Sequence, residues 1–353
     1  MIKVFDFFSG CGGTSKGFKN AGLDLICAID NDSDAAATYE HNFPDTTFIN
    51  QDITQIDTEE ISSHIKSCQN APILFSGCAP CQPFSKQKTQ KKDQDHRIYL
   101  LNEFKRFVAK YLPQYIFIEN VPGLQKLFKK DSPFETFLTL LKKLGYFYDY
   151  SVITSQSFGV PQRRKRLVLV ASSLGEISIP KPACDPENGL GDYSTVRDWI
   201  EDLPAINAGE EHALIANHRS AALSNKNLER IRRTPEGGNR LNWPKHLWLK
   251  CHLNGYKGHT DVYGRMKWDE PATGLTTRCI SLSNGRFGHP DQNRAISIRE
   301  AACLQTFPMD FIFKGNLNSM ARQIGNAVPV KLAEVFGTHI LKHYSDIHGK
   351  IQN

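Results

Sequence analysis

The sequence has no apolar run near the roughly 18 residues that suggest a membrane helix, so nothing in its 353 residues announces a bilayer span. Its first ten residues, "MIKVFDFFSG", hold one lysine and an apolar stretch too short for the core of a secretion signal. Internal repeats and low-complexity tracts are missing too. So is a compact, even set of cysteines. Nine are scattered over positions 11, 27, 68, 78, 81, 184, 251, 279 and 303, which fits reduced thiols in a cytosol and not a secreted disulfide framework. Cys78 and Cys81 form a C-x-x-C, but no second C-x-x-C or histidine pair stands at metal spacing, so no structural zinc is expected. What remains is an ordinary soluble composition, 40% hydrophobic, 23% charged and 10% aromatic. The length suits one large domain plus a smaller one.

The net charge of +6 is local, gathered in "KQKTQKKDQDHR" (86–97), "QRRKR" (162–166) and "RIRRTPEGGNRLNWPKHLWLK" (230–250). Such clusters are usually solvated faces. Three of them, one interleaved with Trp243 and Trp248, point towards a polyanion, because neutralising phosphates releases counterions.

Six apolar runs read as buried strands: "KVFDF" (3–7), "LDLICAID" (23–30), "TTFI" (46–49), "PILFSG" (72–77), "YIFIEN" (115–120) and "RLVLVA" (166–171). Amphipathic segments such as "SDAAATYEHNF" and "YLLNEFKRFVAKYL" lie between them. This alternation predicts an α/β fold with a doubly wound, mostly parallel sheet. After about residue 178 the pattern breaks into Pro- and Gly-rich "IPKPACDPENGLGDYS" and a hundred residues of loops and basic clusters, which predicts a second domain. Helical spacing returns in "SIREAACLQTFP" and in "VPVKLAEVFGTHILKHY" (328–344), the latter long enough to pack back on the sheet.

"FDFFSGCGGTSKGF" (5–18) ends the first strand and opens a helix through Gly10, Gly12 and Gly13, so a ligand can approach the backbone beside a helix N-terminus. It departs from G-x-G-x-x-G, with Ser15 in the third glycine's place. Asp30, ending the second strand, is placed to accept both hydroxyls of a ribose. Asp52, after the third strand, is placed to accept from an adenine amino group, with Ile53 against the ring. Singly, these read as a tight turn and helix caps. At the carboxyl ends of three successive strands they favour an adenosine-bearing cofactor. Glu119 in "IENVPG" ends another such strand, level with the loop holding Cys81. A thiol and a carboxyl facing one pocket suit nucleophilic addition to a ring that is protonated as it is attacked. The residues alone leave "CAPC" open between that chemistry and a thioredoxin-like redox pair.

In order along the chain, "DFFSGCGG", "APCQPFS", "ENV", "QRRKR", "REAACLQTFP" and "QIGNAVP" resemble the motifs of the cytosine-5 DNA methyltransferases, of bacterial restriction-modification or orphan type, over nearly the whole length. The resemblance implies a Rossmann-like, S-adenosylmethionine-dependent methyltransferase fold. Residues 1–178 would form the catalytic domain, 179–317 a target-recognition domain, and 318–353 a segment completing the first. The reaction implied is methyl transfer from S-adenosylmethionine, leaving S-adenosylhomocysteine, to carbon 5 of a cytosine flipped out of a specific double-stranded DNA sequence. By this resemblance Cys81 is the nucleophile that adds to carbon 6, Cys78 is a bystander, Glu119 serves ring nitrogen 3, and Arg164 steadies base and thiolate. Phe8, Gly10, Gly12, Asp30, Asp52, Ile53 and Asn326 would hold the cofactor, without a metal. Gln82, Ser85 and Arg166 would contact DNA, and Arg230, Arg232, Arg233, Arg240, Arg265 and Arg278 are candidate base readers, since arginine is the usual guanine reader.

The resemblance also implies a monomer in the bacterial cytoplasm, associated with the nucleoid and not a membrane, with room for a companion restriction endonuclease acting on the same site. Two positions depart from the family: Cys78-Ala79 precedes Pro80 where Gly-Pro is common, and Asn31 follows Asp30 where a bulky residue often covers the adenine. The nearest alternative is a methyltransferase of the same family acting on transfer RNA, against which the basic insert over 190–290 counts. A nicotinamide dehydrogenase would need the third glycine, a thiol-disulfide oxidoreductase a small thioredoxin-like domain, and a pure binding protein no Cys81 and Glu119 pair.

Overall fold

The structure, a computed structural model, describes residues 1–79, 100–123, 132–253 and 260–351. Its strands are β1 (Lys3–Phe7), β2 (Asp24–Asp30), β3 (Thr47–Asn50), β4 (Ile73–Gly77), β5 (Tyr115–Asn120), β6 (Phe147–Thr154), β7 (Gln162–Arg163), β8 (Lys165–Ser172) and β9 (Ala272–Thr273). Seven of them form one sheet in the order β3-β2-β1-β4-β5-β8-β6. Pairing is parallel from β3 through β5, and antiparallel between β5 and β8 and between β8 and β6. All six expected strands lie in this doubly wound sheet. β4 and β5 are buried at every residue, as a strand covered on both faces should be, and such strands read as continuous apolar runs. The strand not expected is β6, "FYDYSVIT", an edge strand with one buried residue and no such run.

On one face Phe5, Phe7 and Phe75 pack with Phe104 and Phe107 of helix Leu100–Tyr111 and Phe137 of helix Pro133–Lys143. On the other, Phe117 meets Phe18 of helix Gly13–Asn20 at 5.4 Å between ring centroids and Phe336 of helix Val330–Ile351 at 5.3 Å. Those two helices touch through small residues. A Cβ on Gly17 would lie 2.4 Å from the Val330 carbonyl oxygen, and one on Gly337 2.9 Å from the Ala21 Cβ.

The chain divides into two compact units: Met1–Thr154 with Lys165–Pro182 and Val328–Asn353, and Ser155–Arg164 with Ala183–Ala327. The divisions fall at 182 and 327, not at 178 and 317, and the segment around β7 goes with the second unit because β7 pairs with β9. The second unit has little regular structure, and one of its buried clusters gathers Ile231, Trp243, Leu247, Tyr263, Leu282 and Ala295. Backbone groups outside helices and sheets still need partners, and buried arginines supply many. Arg299 donates to the carbonyls of Ala216 and Phe311 at 3.0 and 2.9 Å. Arg294 forms a fully buried ion pair with Glu300 at 2.6 Å. Among the described residues no helix is long and apolar enough to cross a membrane.

Candidate active site

In doubly wound sheets ligands bind beyond the carboxyl ends of the strands, where the strand order reverses. Here that point lies between β1 and β4. The chain leaves β1 through three left-handed residues, Phe8 (φ 59°), Gly10 (φ 52°) and Gly12 (φ 94°). Phe8 holds this conformation without being glycine, a form of local strain that concentrates at functional sites. The two glycines serve different ends. A Cβ on Gly12 would lie 2.5 Å from a Phe43 ring carbon and 3.0 Å from a Tyr39 ring carbon, whereas one on Gly10 would meet nothing within 4 Å. Gly10 therefore leaves its backbone open to a ligand.

The Gly10 N–H donates to Asp30 Oδ2 at 2.8 Å and the Asp32 N–H to Asp30 Oδ1 at 2.9 Å. Burial raises the Asp30 carboxyl above its ordinary range, and these N–H bonds oppose that shift. Each carboxylate oxygen keeps acceptor capacity for a ligand hydroxyl. The neighbouring Ser9 Oγ is buried with no hydrogen-bond partner among the described residues. Ser15, in the third glycine's place, is buried and donates to Asp6 Oδ2 at 2.6 Å, with Tyr39 Oη at 2.8 Å. Burial pushes Asp6 up to about 6, with the Ser15 hydroxyl pulling the other way. The close helix packing a third glycine would allow falls to Gly17. Asp52 Oδ1 accepts from both the N–H and the hydroxyl of Thr54, at 2.9 and 2.8 Å, so it caps a turn. Ile53 is 4% exposed and belongs to the sheet core.

Glu119 is 7% exposed. Its neighbour Asn120 donates from Nδ2 to the Ala79 carbonyl at 2.9 Å, tying the end of β5 to the segment after β4. Arg166 on β8 brings Nε to 2.7 Å from Glu119 Oε1. The approach is ionic and lacks hydrogen-bond alignment, and Oε1 has no hydrogen-bond partner among the described residues. The ion pair compensates the buried charge, and the carboxylate keeps acceptor capacity for a ligand. The Cys78 Sγ lies 3.8 Å from Thr14 Oγ1. Burial, and then the charge of Glu119, push its thiol well up. Cys81, Gln82 and Ser85 lie outside the described residues.

The second unit holds the other expected residues. Arg164 is 4% exposed and donates through Nη1 to the carbonyls of Leu275 and Gly325, both at 3.1 Å. Gln162 donates to the Leu304 carbonyl at 2.9 Å and to Gln305 Oε1, and Gln305 donates onward to the Ile324 and Ala327 carbonyls. A Cβ on Gly325 would lie 2.2 Å from the Thr276 carbonyl oxygen. The motifs "QRRKR", "LQTFP" and "QIGNAVP" therefore meet in one internal polar cluster, with Arg164 as a clamp. Asn326 is exposed at the end of helix Leu317–Asn326.

The six expected base readers divide evenly. Arg232, Arg233 and Arg278 are exposed. Arg230, Arg240 and Arg265 are 4%, 2% and 4% exposed. Arg230 donates to the Leu247 carbonyl at 2.9 Å and stacks over Trp243 and Tyr263 at 5.2 and 5.4 Å. Trp243 is itself buried, its Nε1 donating to Thr234 Oγ1 at 2.8 Å, so it packs the unit and offers no stacking surface.

A model of the family described as C-5 cytosine-specific DNA methylase matches residues 2–342. The chain is 39% identical over 350 residues to the Type II methylase M.HgiDII of Herpetosiphon aurantiacus, covering 98% of this chain and 96% of that one. It is 33% identical over 346 residues to the Type II methyltransferase M1.HphI of Haemophilus parahaemolyticus, covering 97% and 87%. Among solved structures, one described as a prophage-encoded DNA modification methyltransferase (E. coli) matches with a TM-score of 0.76 at 24% identity, over 97% of this chain and 99% of that one. S. pombe Dnmt2 matches with a TM-score of 0.63 at 20% identity, over 97% and 99%. At such identities the structural likeness carries the fold alone. The family match and the two curated relatives carry more: this chain belongs to the C-5 cytosine-specific DNA methylase family and is a DNA (cytosine-5-)-methyltransferase.

Proposed function

We propose that the chain methylates carbon 5 of a cytosine flipped out of a specific double-stranded DNA sequence, with S-adenosylmethionine as donor and a covalent Cys81 adduct on the path. The observation that carries this reading is Glu119, a buried carboxylate at the end of β5 held by an ion pair with Arg166. The Cys81 thiolate adds to carbon 6 of the base, and the displaced electron pair moves into the ring, where Glu119 serves nitrogen 3. Carbon 5 becomes an enamine carbon able to take a methyl group. Loss of its proton then expels the thiolate and restores the ring. S-adenosylmethionine, when bound, supplies that methyl as an electrophilic sulfonium. Arg166, 2.7 Å from Glu119, orients the carboxylate; Arg164 stays in the proposed catalytic set as the residue that steadies base and thiolate, its Nη1 anchored on the Leu275 and Gly325 carbonyls.

In this reading Asp30 accepts the ribose hydroxyls, Gly10 admits the ligand, and Ser9 supplies a free hydroxyl beside them. Phe8, Gly12 and Asn326 stay in the proposed set on the strength of the motifs, and Asp52 and Ile53 on their place after β3. The second unit reads DNA, with Arg232, Arg233 and Arg278 as its exposed cations and Arg230, Arg240 and Arg265 as its frame. A companion restriction endonuclease for the same site belongs to this reading.

A duplex carrying 5-fluorocytosine at the target tests the chemistry, because fluorine cannot leave as a proton does. The enzyme should transfer its methyl group and remain attached, and peptide mass spectrometry should find the adduct on Cys81. Absence of any adduct with an enzyme active on ordinary DNA would sink the covalent route. Glu119→Gln should lower kcat by about 10²–10⁴-fold, the usual worth of a positioned acid or base, while S-adenosylmethionine binding is unchanged; a wild-type kcat would remove Glu119 from the mechanism. Asp30→Ala should weaken cofactor binding by about 1–3 kcal/mol through lost charge-assisted hydrogen bonds, with DNA binding retained. Calorimetry showing equal cofactor affinity would count against the pocket.

A further inference from the structure

Leu241 stands in the most basic stretch of the second unit with its side chain 61% exposed, while Arg240 and Trp243 on either side are buried. A lone exposed leucine is ordinary. This one sits on a backbone held from both sides. The Leu241 N–H donates to Asn239 Oδ1 at 2.9 Å and the Asn239 N–H to Asn242 Oδ1 at 3.0 Å, a reciprocal cap on the single helical turn Arg240–Asn242. Before the turn, Arg286 Nη1 donates to the carbonyls of Gly237 and Gly238 at 2.7 and 2.9 Å, and the Arg265 N–H donates to the Gly238 carbonyl at 3.2 Å. After it, Trp243 is tied by its indole N–H to Thr234, just past helix Asn225–Arg232. The turn is therefore fixed before anything binds, and a preorganised contact costs little ordering.

The partner follows from charge and shape. Arg232 and Arg233 are exposed at the end of that helix, and Lys245 is exposed shortly after the turn. A held apolar side chain in a stretch of sequence with exposed cations on both sides suits a polyanion that carries an apolar group in a groove, and the thymine C5-methyl is the apolar mark of the DNA major groove. We propose that Leu241 is a specificity-determining residue that packs on a thymine methyl in the recognition sequence. The inference rests on the reading of the second unit as the part that reads duplex DNA.

The test compares wild type, Leu241→Ala, and Leu214→Ala, the same truncation at a leucine 91% exposed elsewhere in the second unit. Methyl transfer is measured on a duplex that the wild type methylates. It is measured again on duplexes in which thymines in and beside the site are replaced one at a time by deoxyuridine, which removes only the methyl. The wild type should lose about five- to tenfold in kcat/KM at one thymine position, the worth of a partly buried leucine contact. Leu241→Ala should lose a similar factor on the parent duplex and be indifferent to deoxyuridine at that position, with an unchanged thermal midpoint. Leu214→Ala should match the wild type. Wild-type kinetics for Leu241→Ala, or a loss with no position at which the deoxyuridine effect disappears, would overturn the proposal. Failure of the underlying reading looks different: the wild type would then methylate no duplex at all.

Discussion

Cys81→Ala abolishes both methyl transfer and the 5-fluorocytosine adduct, whereas Cys78→Ala keeps both: that is the expected outcome for two thiols three residues apart. The sequence alone does not separate them, since "CAPC" fits a redox pair as well as a nucleophile loop. The surroundings of Cys78 support Cys81 as the proposed nucleophile. Its sulfur lies 3.8 Å from the Thr14 hydroxyl, and burial together with the negative charge of Glu119 pushes the thiol well above its ordinary range. Only a thiolate is an effective nucleophile. Both effects disfavour the Cys78 thiolate, so the proposed attack on carbon 6 is given to Cys81. Replacing it by alanine removes a sulfur that takes no step, so activity should fall by no more than a few-fold, the scale of a modest packing change. Steady-state kinetics on both variants, with the trapped peptide identified by mass spectrometry, decide the matter. Equal loss in the two, or an adduct on Cys78, would show that the wrong sulfur or the wrong chemistry had been assigned.

How much of this was legible in advance depended on whether local sequence carries the deciding physics. β1, β4, β5 and β8 were plain because strands covered on both faces carry near-continuous apolar runs. β6 was not, because an edge strand with one face in water has no such run. The glycines after β1 were legible as a group, yet their division of labour depends on Phe43 and Tyr39, which pack against Gly12 from about thirty residues away. Ser15 looked like a defect in a glycine pattern. Its hydroxyl instead donates to Asp6 Oδ2 inside the sheet, a need that no spacing rule reveals. The arginines were the least legible. In sequence, a guanidinium that will hold four backbone carbonyls looks the same as one that will face solvent, and only the tertiary fold decides between them.

Arg265 makes that distinction measurable. Its guanidinium donates to the carbonyls of Ile231, Thr234, His289 and Gln292 and to Asn293 Oδ1, which joins the end of helix Asn225–Arg232 to the loop at 289–293. Arg265→Leu removes every one of these donors while keeping an apolar side chain in the space. The Thr234 and His289 carbonyls and Asn293 Oδ1 then lose their donor, while the Ile231 and Gln292 carbonyls keep only the N–H groups of Thr234 and Arg294, and unsatisfied buried acceptors cost far more than the bonds themselves contribute. The expected loss is about 3–5 kcal/mol, at the severe end for a single substitution, seen as a lower denaturant or thermal midpoint. Weaker DNA binding would follow from a loosened unit and would recover on cooling or with stabilising solutes. Arg278→Ala should do the opposite. It removes an exposed cation, so the midpoint should hold. Affinity should fall and, for a phosphate contact, the slope of log affinity against log salt should shrink by about one. If Arg265→Leu kept its midpoint and instead relaxed the choice of base at one position of the target, the buried arginine would be a reader after all, and the frame assigned to it here would be wrong.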